Sequence, residues 1–124
     1  MLTLDPILFL IALVLLPLLD TPWLYLQSTS LGGIRMFEKI QGSPVSMRLL
    51  PAAVVYIALA FLLLQQTDVL QAAFSGAATY AVYDFTNLAV FKDYTLQFAV
   101  MDSLWGGVLF AAAFLALNKI RTLL

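Results

Sequence analysis

Apolar and polar positions divide the chain into four long apolar segments separated by polar connections. The apolar segments run from about Leu4 to Leu26, Met47 to Gln65, Val69 to Phe91 and Thr95 to Leu117. Each has close to the roughly 20 residues of a transmembrane helix, whereas the strands of a membrane barrel are about half as long and alternate in polarity. We therefore predict an all-α integral membrane fold: one domain over residues 1–124, with four transmembrane helices in an antiparallel up-down bundle.

The polar connections differ in length. Gln66–Asp68 and Lys92–Tyr94 are short turns, which force the helices they join to lie antiparallel. Asp68 is the expected N-cap of the third helix. Residues 27–46 are rich in Gly and Ser, as loops are, and Ile34–Ile40 within them has the pattern of a short interfacial amphipathic turn. The first segment lacks a basic start and a cleavage site, so we expect a retained span rather than a signal peptide.

Composition supports a membrane protein and excludes several chemistries. The chain is 63% hydrophobic and 10% charged, with a mean hydropathy of +0.99, whereas soluble domains are about half apolar and a quarter charged. It contains no Cys and no His, which removes thiolate and imidazole catalysis and the usual transition-metal ligands. We expect no enzyme activity, catalytic residue, cofactor or metal. A net charge of −1 without a basic run argues against nucleic acid as a partner.

The basic residues indicate an orientation in the membrane. In the predicted topology both termini lie on one side, named side A, and the opposite side is named side B. Four of the six basic residues belong to side B: Arg35, Lys39, Arg48 and Lys92. The positive-inside rule then makes side B cytoplasmic and leaves both termini on the non-cytoplasmic side of a multi-pass protein.

Three aspartates fall inside the predicted spans: Asp20, Asp84 and Asp102. At about 1.5 Å of rise per residue, each lies about 9–10 Å from the side-B end of its helix, so antiparallel threading places all three in one layer. An aspartate that faces lipid is energetically costly, so we predict that the three side chains face one another. Repulsion between them also predicts that at least one is protonated if no cation is near. Arg48 is the obvious cation; it is equally typical of an interfacial anchor.

Polar and aromatic residues recur around these aspartates. Tyr80, Asp84 and Asn87 share one helix face. The first and fourth helices each carry Asp-x-x-Trp, although Trp and Tyr are also typical of a membrane-interface belt. The predicted polar intramembrane cluster consists of Asp20, Trp23, Arg48, Tyr80, Tyr83, Asp84, Asn87, Asp102 and Trp105.

Small residues predict where helices pack closely. They recur every four positions on two helices: Ala73, Ala77 and Ala81 on the third, and Ala99, Ser103, Gly107 and Ala111 on the fourth. This spacing lets helix backbones approach each other. Pro17 and Pro22 are expected to bend the first helix beside Asp20.

Three motifs around these aspartates resemble those of a known family. Tyr83-Asp84-Phe85-Thr86-Asn87, followed by Asp102-x-x-Trp105-Gly106, is similar to the membrane-protein family named domain of unknown function 2177, as is Asp20-x-x-Trp23 in the first helix. The resemblance covers the first, third and fourth helices. It implies a four-span membrane protein of bacteria and some large DNA viruses, with no established activity, and it singles out the aspartates selected by depth.

Two functions stay open for the aspartate layer. In the first, the carboxyl groups are interhelical hydrogen-bond acceptors in a small structural or assembly component of a cellular or virion internal membrane. Its partners would be lipid and either further copies of the chain or a neighbouring membrane protein. In the second, the carboxyl groups form the ion site of an oligomeric proton- or cation-linked transporter or channel for small solutes.

Overall fold

The computed structural model describes residues 5–124, and these fold into five α-helices without a strand. The helices are α1 Pro6–Thr29, α2 Gly33–Gln41, α3 Leu49–Leu64, α4 Val69–Val90 and α5 Leu96–Leu123. The all-helical prediction is confirmed. The four long helices correspond to the four apolar segments, although α1 and α5 continue past the predicted ends at Leu26 and Leu117, to Thr29 and Leu123. Leu4, the predicted start of the first segment, lies outside the described residues. Residues 27–46 are not entirely loop, because the amphipathic stretch Ile34–Ile40 lies within α2.

Membrane-span character is clear for two helices. Within residues 5–124, α1 and α5 are long and apolar enough to cross a bilayer. The 16 residues of α3 are apolar but fewer than a typical span has. The 22-residue α4 is long enough but carries polar residues such as Asp84 within it. The structure thus supports two of the four predicted spans directly, together with one shorter apolar helix.

Side-chain caps define where α4 and α5 begin. The carboxylate of Asp68 accepts a hydrogen bond from the Gln71 amide at 2.8 Å, which confirms it as the N-cap of α4. Thr95 caps α5 in the same way, through the Phe98 amide at 3.2 Å. Each such cap satisfies an amide that has no partner inside its helix. The short turns before Val69 and Leu96 are therefore fixed by local sequence.

The core lies between α1, α3 and α5. It is built mainly from buried side chains of these three helices, joined by Ala72 of α4: Leu8, Ala12, Leu16, Leu59, Ala60, Leu63, Leu109, Phe110, Ala113, Phe114 and Leu117. At one end of α1, Leu8 lies near Leu63 and Leu117, whereas farther along α1 Asp20 bonds to side chains of α3 and α5. This order of contacts shows that α1 runs antiparallel to both helices.

The closest helix pair is α4 with α5. A methyl group built on Gly76 would collide with the carbonyl oxygen of Gly106, and one on Gly107 would lie 3.0 Å from the Ala73 oxygen and 3.4 Å from Ala77 Cβ. Ala99 and Ser103 of α5 are buried as well. Among the predicted small-residue positions, Ala73, Ala77, Ala99, Ser103 and Gly107 thus lie in packed surroundings within the chain, whereas Gly76 and Gly106 were not part of that prediction.

The short helix α2 packs over the α4–α5 turn. Met36 is buried with Tyr94 and Phe98, and the Phe37 ring packs edge-on against both aromatic rings at 5.9 Å. Gly32 and Gly42 bracket α2 with φ of +75°, a left-handed conformation that glycine adopts without strain. Apolar side chains thus hold α2 against the side-B end of the bundle.

Substitutions on the two faces of α2 separate apolar packing from charge pairing. Met36→Ala leaves a cavity, and we expect a loss of about 2 kcal/mol, the lower end for Met→Ala in a core. Amide hydrogen exchange in α2 should then accelerate by roughly 30-fold. Lys39→Ala removes the 3.6 Å ion pair with Asp93 at a mostly exposed position and should change stability by less than about 1 kcal/mol. Faster exchange with Lys39→Ala than with Met36→Ala would contradict this account.

Candidate functional site

Asp20 joins three helices. Its side chain is 4% exposed. Oδ1 accepts a hydrogen bond from Trp105 Nε1 of α5 at 2.7 Å, and Oδ2 accepts one from the Tyr56 hydroxyl of α3 at 2.6 Å. Each oxygen thus has a neutral donor from a different helix, and these bonds offset part of the cost of burying the carboxylate.

Asp102 of α5 makes the counterpart of the bond between Asp20 and Trp105, with acceptor and donor exchanged between the two helices. One of its carboxylate oxygens accepts a hydrogen bond from Trp23 Nε1 of α1 at 2.8 Å. The rings of Trp23 and Trp105 stack between the two carboxylates, with centroids 5.6 Å apart and planes 17° from parallel. Because α1 and α5 are antiparallel, two Asp-x-x-Trp motifs pair reciprocally, as if related by a local two-fold axis. We call Asp20, Trp23, Asp102 and Trp105 the Asp–Trp clasp.

Asp84 is fully buried and joins α4 to the turn that follows it. Its Oδ1 accepts a hydrogen bond from the Tyr94 hydroxyl at 2.6 Å. The Ser103 hydroxyl is 3.5 Å from Oδ2 but also lies 2.7 Å from the Ala99 carbonyl, so its single proton makes the shorter bond. Burial, together with the bond to Asp84, raises the pKa of Tyr94 above its usual value. Tyr94, which lies between α4 and α5, therefore stays a donor at neutral pH.

The hydrogen-bond donors to the three carboxylates are indoles and hydroxyls, not cations. Arg48, the cation expected from the sequence, is the exposed N-cap residue of α3 and lies outside the cluster. The salt bridge found within residues 5–124 joins Lys39 and Asp93. Arg48 precedes the first turn of α3, whereas Tyr56 lies two turns farther along, level with Asp20. The phenol therefore takes the place proposed for the guanidinium.

The remaining predicted members lie on α4 around Asp84. The Tyr80 ring packs against Gly106 of α5. Tyr83 is 52% exposed, and Asn87 lies close to the hydroxyls of Tyr83 and Tyr94. The structure thus brings together every predicted cluster residue except Arg48.

Two important donors were missing from the predicted cluster: Tyr56 and Tyr94. Tyr56 is the one side chain in α3 with a hydrogen-bonding group, and a phenol in such an apolar helix normally needs a partner. That signal was available in the sequence. The sequence gave no comparable signal for Tyr94, because this residue follows Lys92 and Asp93 in a polar turn.

A large cleft adjoins the Asp–Trp clasp. Its volume is about 860 Å³. The walls come from all five helices, mostly as apolar side chains, and its polar groups include Asp20, Tyr56, Thr79, Tyr80 and Asp102. Within residues 5–124, the structure contains no group of three or more His, Cys, Asp or Glu side chains placed to hold a metal ion. Asp20 and Asp102 accept their hydrogen bonds at the wall of this mostly apolar cleft.

The fold and this site define a helical protein with membrane-span helices joined by buried carboxylates. The family described as "Predicted membrane protein (DUF2177)" matches residues 6–117. The chain belongs to this family of unknown function, as the motifs around Asp20, Asp84 and Asp102 indicated. No curated protein and no solved structure matches the chain significantly.

Proposed function

We propose that this membrane protein crosses the bilayer four times and serves as a small, non-catalytic structural or assembly component. The observation that carries the proposal is the Asp–Trp clasp, in which both carboxylates accept hydrogen bonds from a neighbouring helix. Such bonds contribute about 0.6–2 kcal/mol each in membrane bundles. The aspartate layer then fixes the register of the helices, and both termini lie on the non-cytoplasmic side.

The exposed surface supports spans at α3 and α4 as well. The outer face of α4 is apolar at Leu70, Phe74 and Val82, while Gly76 and Asp84 are turned inward. Asp84, the charged residue that lowers the hydropathy of α4, therefore avoids lipid, whereas the exposed Gln71 and Thr86 lie near the two ends of the helix. α3 is about 24 Å long at 1.5 Å per residue. Local bilayer thinning or snorkelling of a flanking side chain accommodates so short a span, and Arg48 at its start is placed to act as that anchor.

The assembly role requires a surface for other proteins, and the outer apolar faces supply it. The small-residue stripes of α4 and α5 are largely occupied within the chain, so contacts with a second copy or a neighbouring membrane protein must use other positions. The exposed side chains of α3 include Leu50, Val54 and Ile57. These faces are extended and apolar, as a contact surface inside a bilayer must be.

Amide substitutions in the aspartate layer test this function. Asn keeps an acceptor oxygen, so we expect Asp84→Asn and Asp102→Asn each to lower stability by less than about 2 kcal/mol and to leave assembly intact. Crosslinking in membranes and mass measurement in detergent give the assembly state. Asp84→Leu and Asp102→Leu are the matched controls that remove the acceptor. Complete loss of assembly in both amide variants would overturn the structural function.

A second candidate function is proton- or cation-linked transport by an oligomer. The observation that favours it is that Asp20 and Asp102 line the large cleft, where an ion would meet carboxylates in an apolar wall. Proteoliposomes loaded with a pH- or cation-sensitive dye measure flux. If Asp84→Asn and Asp102→Asn leave the flux unchanged, transport through the carboxyl layer is rejected; flux abolished by either change, with assembly retained, would favour transport over the structural function.

A further inference from the structure

α3 and α4 make almost no contact with each other, so the mouth of the cleft lies between them. These helices are joined by the short turn at residues 65–68, yet α3 packs on α1 while α4 packs on α5. α1 and α5 therefore form the back of the cleft, and α3 and α4 form its sides. In a bilayer this mouth faces the lipid, so a molecule enters sideways from the membrane.

The wall of the cleft is suited to a ligand with two different ends. Apolar side chains such as Val55, Leu59 and Leu62 line much of it, while Asp20 and Asp102 supply carboxylates beside them. Tyr80 also lines the cleft, and its hydroxyl makes no hydrogen bond within the described part of the chain. A volume of about 860 Å³ falls in the range of about 300–1,000 Å³ typical of small-molecule sites.

Charge distinguishes among possible head groups. The lining residues include two aspartates and no Lys or Arg. A phosphate or carboxylate head would meet acceptors and like charge in a medium of low dielectric. An ammonium group donates hydrogen bonds and complements the carboxylates.

We propose that the cleft binds a single-chain amphiphile with an amine head group. The ammonium lies at Asp20 and Asp102, and the alkyl chain lies against Val55, Leu59 and Leu62. The inference goes beyond the structural function proposed above, because it assigns a ligand to a cavity that helix packing alone does not require.

Tryptophan fluorescence reports directly on this cleft. The chain has two tryptophans, Trp23 and Trp105, and both belong to the Asp–Trp clasp beside the cleft. The purified full-length protein in nanodiscs is titrated at pH 7 with brominated long-chain amine, alcohol or fatty acid, because bromine quenches a nearby indole. We expect saturable quenching by the amine, reversed by unbrominated amine, with the alcohol at least 10-fold weaker. Equal quenching by all three, or quenching without saturation, would overturn the proposal.

A cavity-filling variant and its neighbour locate the binding site. Ala52 lines the cleft, whereas Ala53 is exposed outside it. Ala52→Phe should weaken amine binding at least 10-fold, and Ala53→Phe should bind like the wild type. Ala58 also lines the cleft, and Ala58→Phe replaces Ala52→Phe if that variant does not fold. Unchanged binding in a folded cavity-filling variant would place the amine elsewhere and overturn the proposal.

Two further measurements test the head group and the occupant. Asp102→Asn keeps an acceptor but removes the charge, so the preference for amine over alcohol should fall several-fold; an unchanged preference would overturn the charge argument.

Mass measurement of Ala52→Phe should show the wild-type assembly state. A switch from oligomer to monomer in that variant alone would identify a second copy as the occupant and reject the amphiphile. If the wild-type protein assembles but does not bind the amine, the amphiphile proposal fails while the structural function proposed above still stands.

Discussion

Asp20→Ala is expected to destabilise the protein more than any other single change in the aspartate layer. The substitution leaves the Trp105 indole and the Tyr56 hydroxyl without their acceptor. Each partly buried donor left unpaired costs about 1–3 kcal/mol. Unfolding of the protein in mixed micelles, followed by circular dichroism, measures the loss. Because Trp105 is one of two tryptophans, its emission should also shift.

Three companion variants show whether the loss comes from those hydrogen bonds. Asp20→Asn retains one acceptor oxygen and should lose about half as much stability. Trp105→Phe and Tyr56→Phe each remove one donor, so combining either with Asp20→Ala should cost less than the sum of the single changes. Strict additivity, or an effect of Asp20→Ala below about 0.5 kcal/mol, would show that these bonds do not hold α1 against α3 and α5.

Gly76→Ala is expected to force α4 away from α5. The added methyl group collides with the Gly106 carbonyl and lies 2.6 Å from Phe110 Cβ, and neither neighbour is the end of a flexible side chain. Overpacking of this kind typically costs about 1–3 kcal/mol, against a gain of about 1 kcal/mol from replacing glycine in a helix. We expect a net loss of stability, with a Cys pair across α4 and α5 crosslinking more slowly. The native chain has no Cys, so only the introduced pair can form a crosslink.

Gly107→Ala is the matched control for this prediction. The same methyl group on α5 lies 3.0 Å from the Ala73 oxygen and 3.4 Å from Ala77 Cβ. A small adjustment relieves these contacts, and the helix-propensity gain offsets much of their cost. We therefore expect Gly107→Ala to be close to wild type. A larger loss for Gly107→Ala than for Gly76→Ala would contradict the packing seen at this interface.

The sequence was sufficient to locate the long helices and the level of the aspartates along them. Segment length and polarity identified all four long helices, and Asp68 was correctly identified as a cap. Rise per residue places Asp20 and Asp102 at one level but does not determine how far each helix is rotated about its axis. That rotation decides which side chains meet each carboxyl group. Arg48 is excluded by its level as well, because it precedes α3, whereas Tyr56 lies two turns farther along, level with Asp20. The reciprocal pairing of two tryptophans likewise needs the three-dimensional arrangement.

Secondary structure in the long connection was harder to predict. Gly32 and Gly42 favoured a loop, yet they bound a helix whose Met36 and Phe37 contact residues far along the chain. Those contacts are tertiary, so periodicity over nine residues did not predict them. The cleft was also beyond prediction, because it arises where α3 and α4 diverge rather than from any motif.

The Asp–Trp clasp joins the first long helix to the last, which affects how the chain matures during synthesis. Trp23 and Asp102 are 79 residues apart, and Asp20 and Trp105 are 85 residues apart. At about 5–20 residues per second, the ribosome needs roughly 4–17 s to add the second half of the clasp. Throughout that interval Asp20 lacks its indole partner, so the carboxyl group must be held by water, headgroups or Tyr56. The first long helix therefore gains its full set of clasp hydrogen bonds only after α5 has been synthesised.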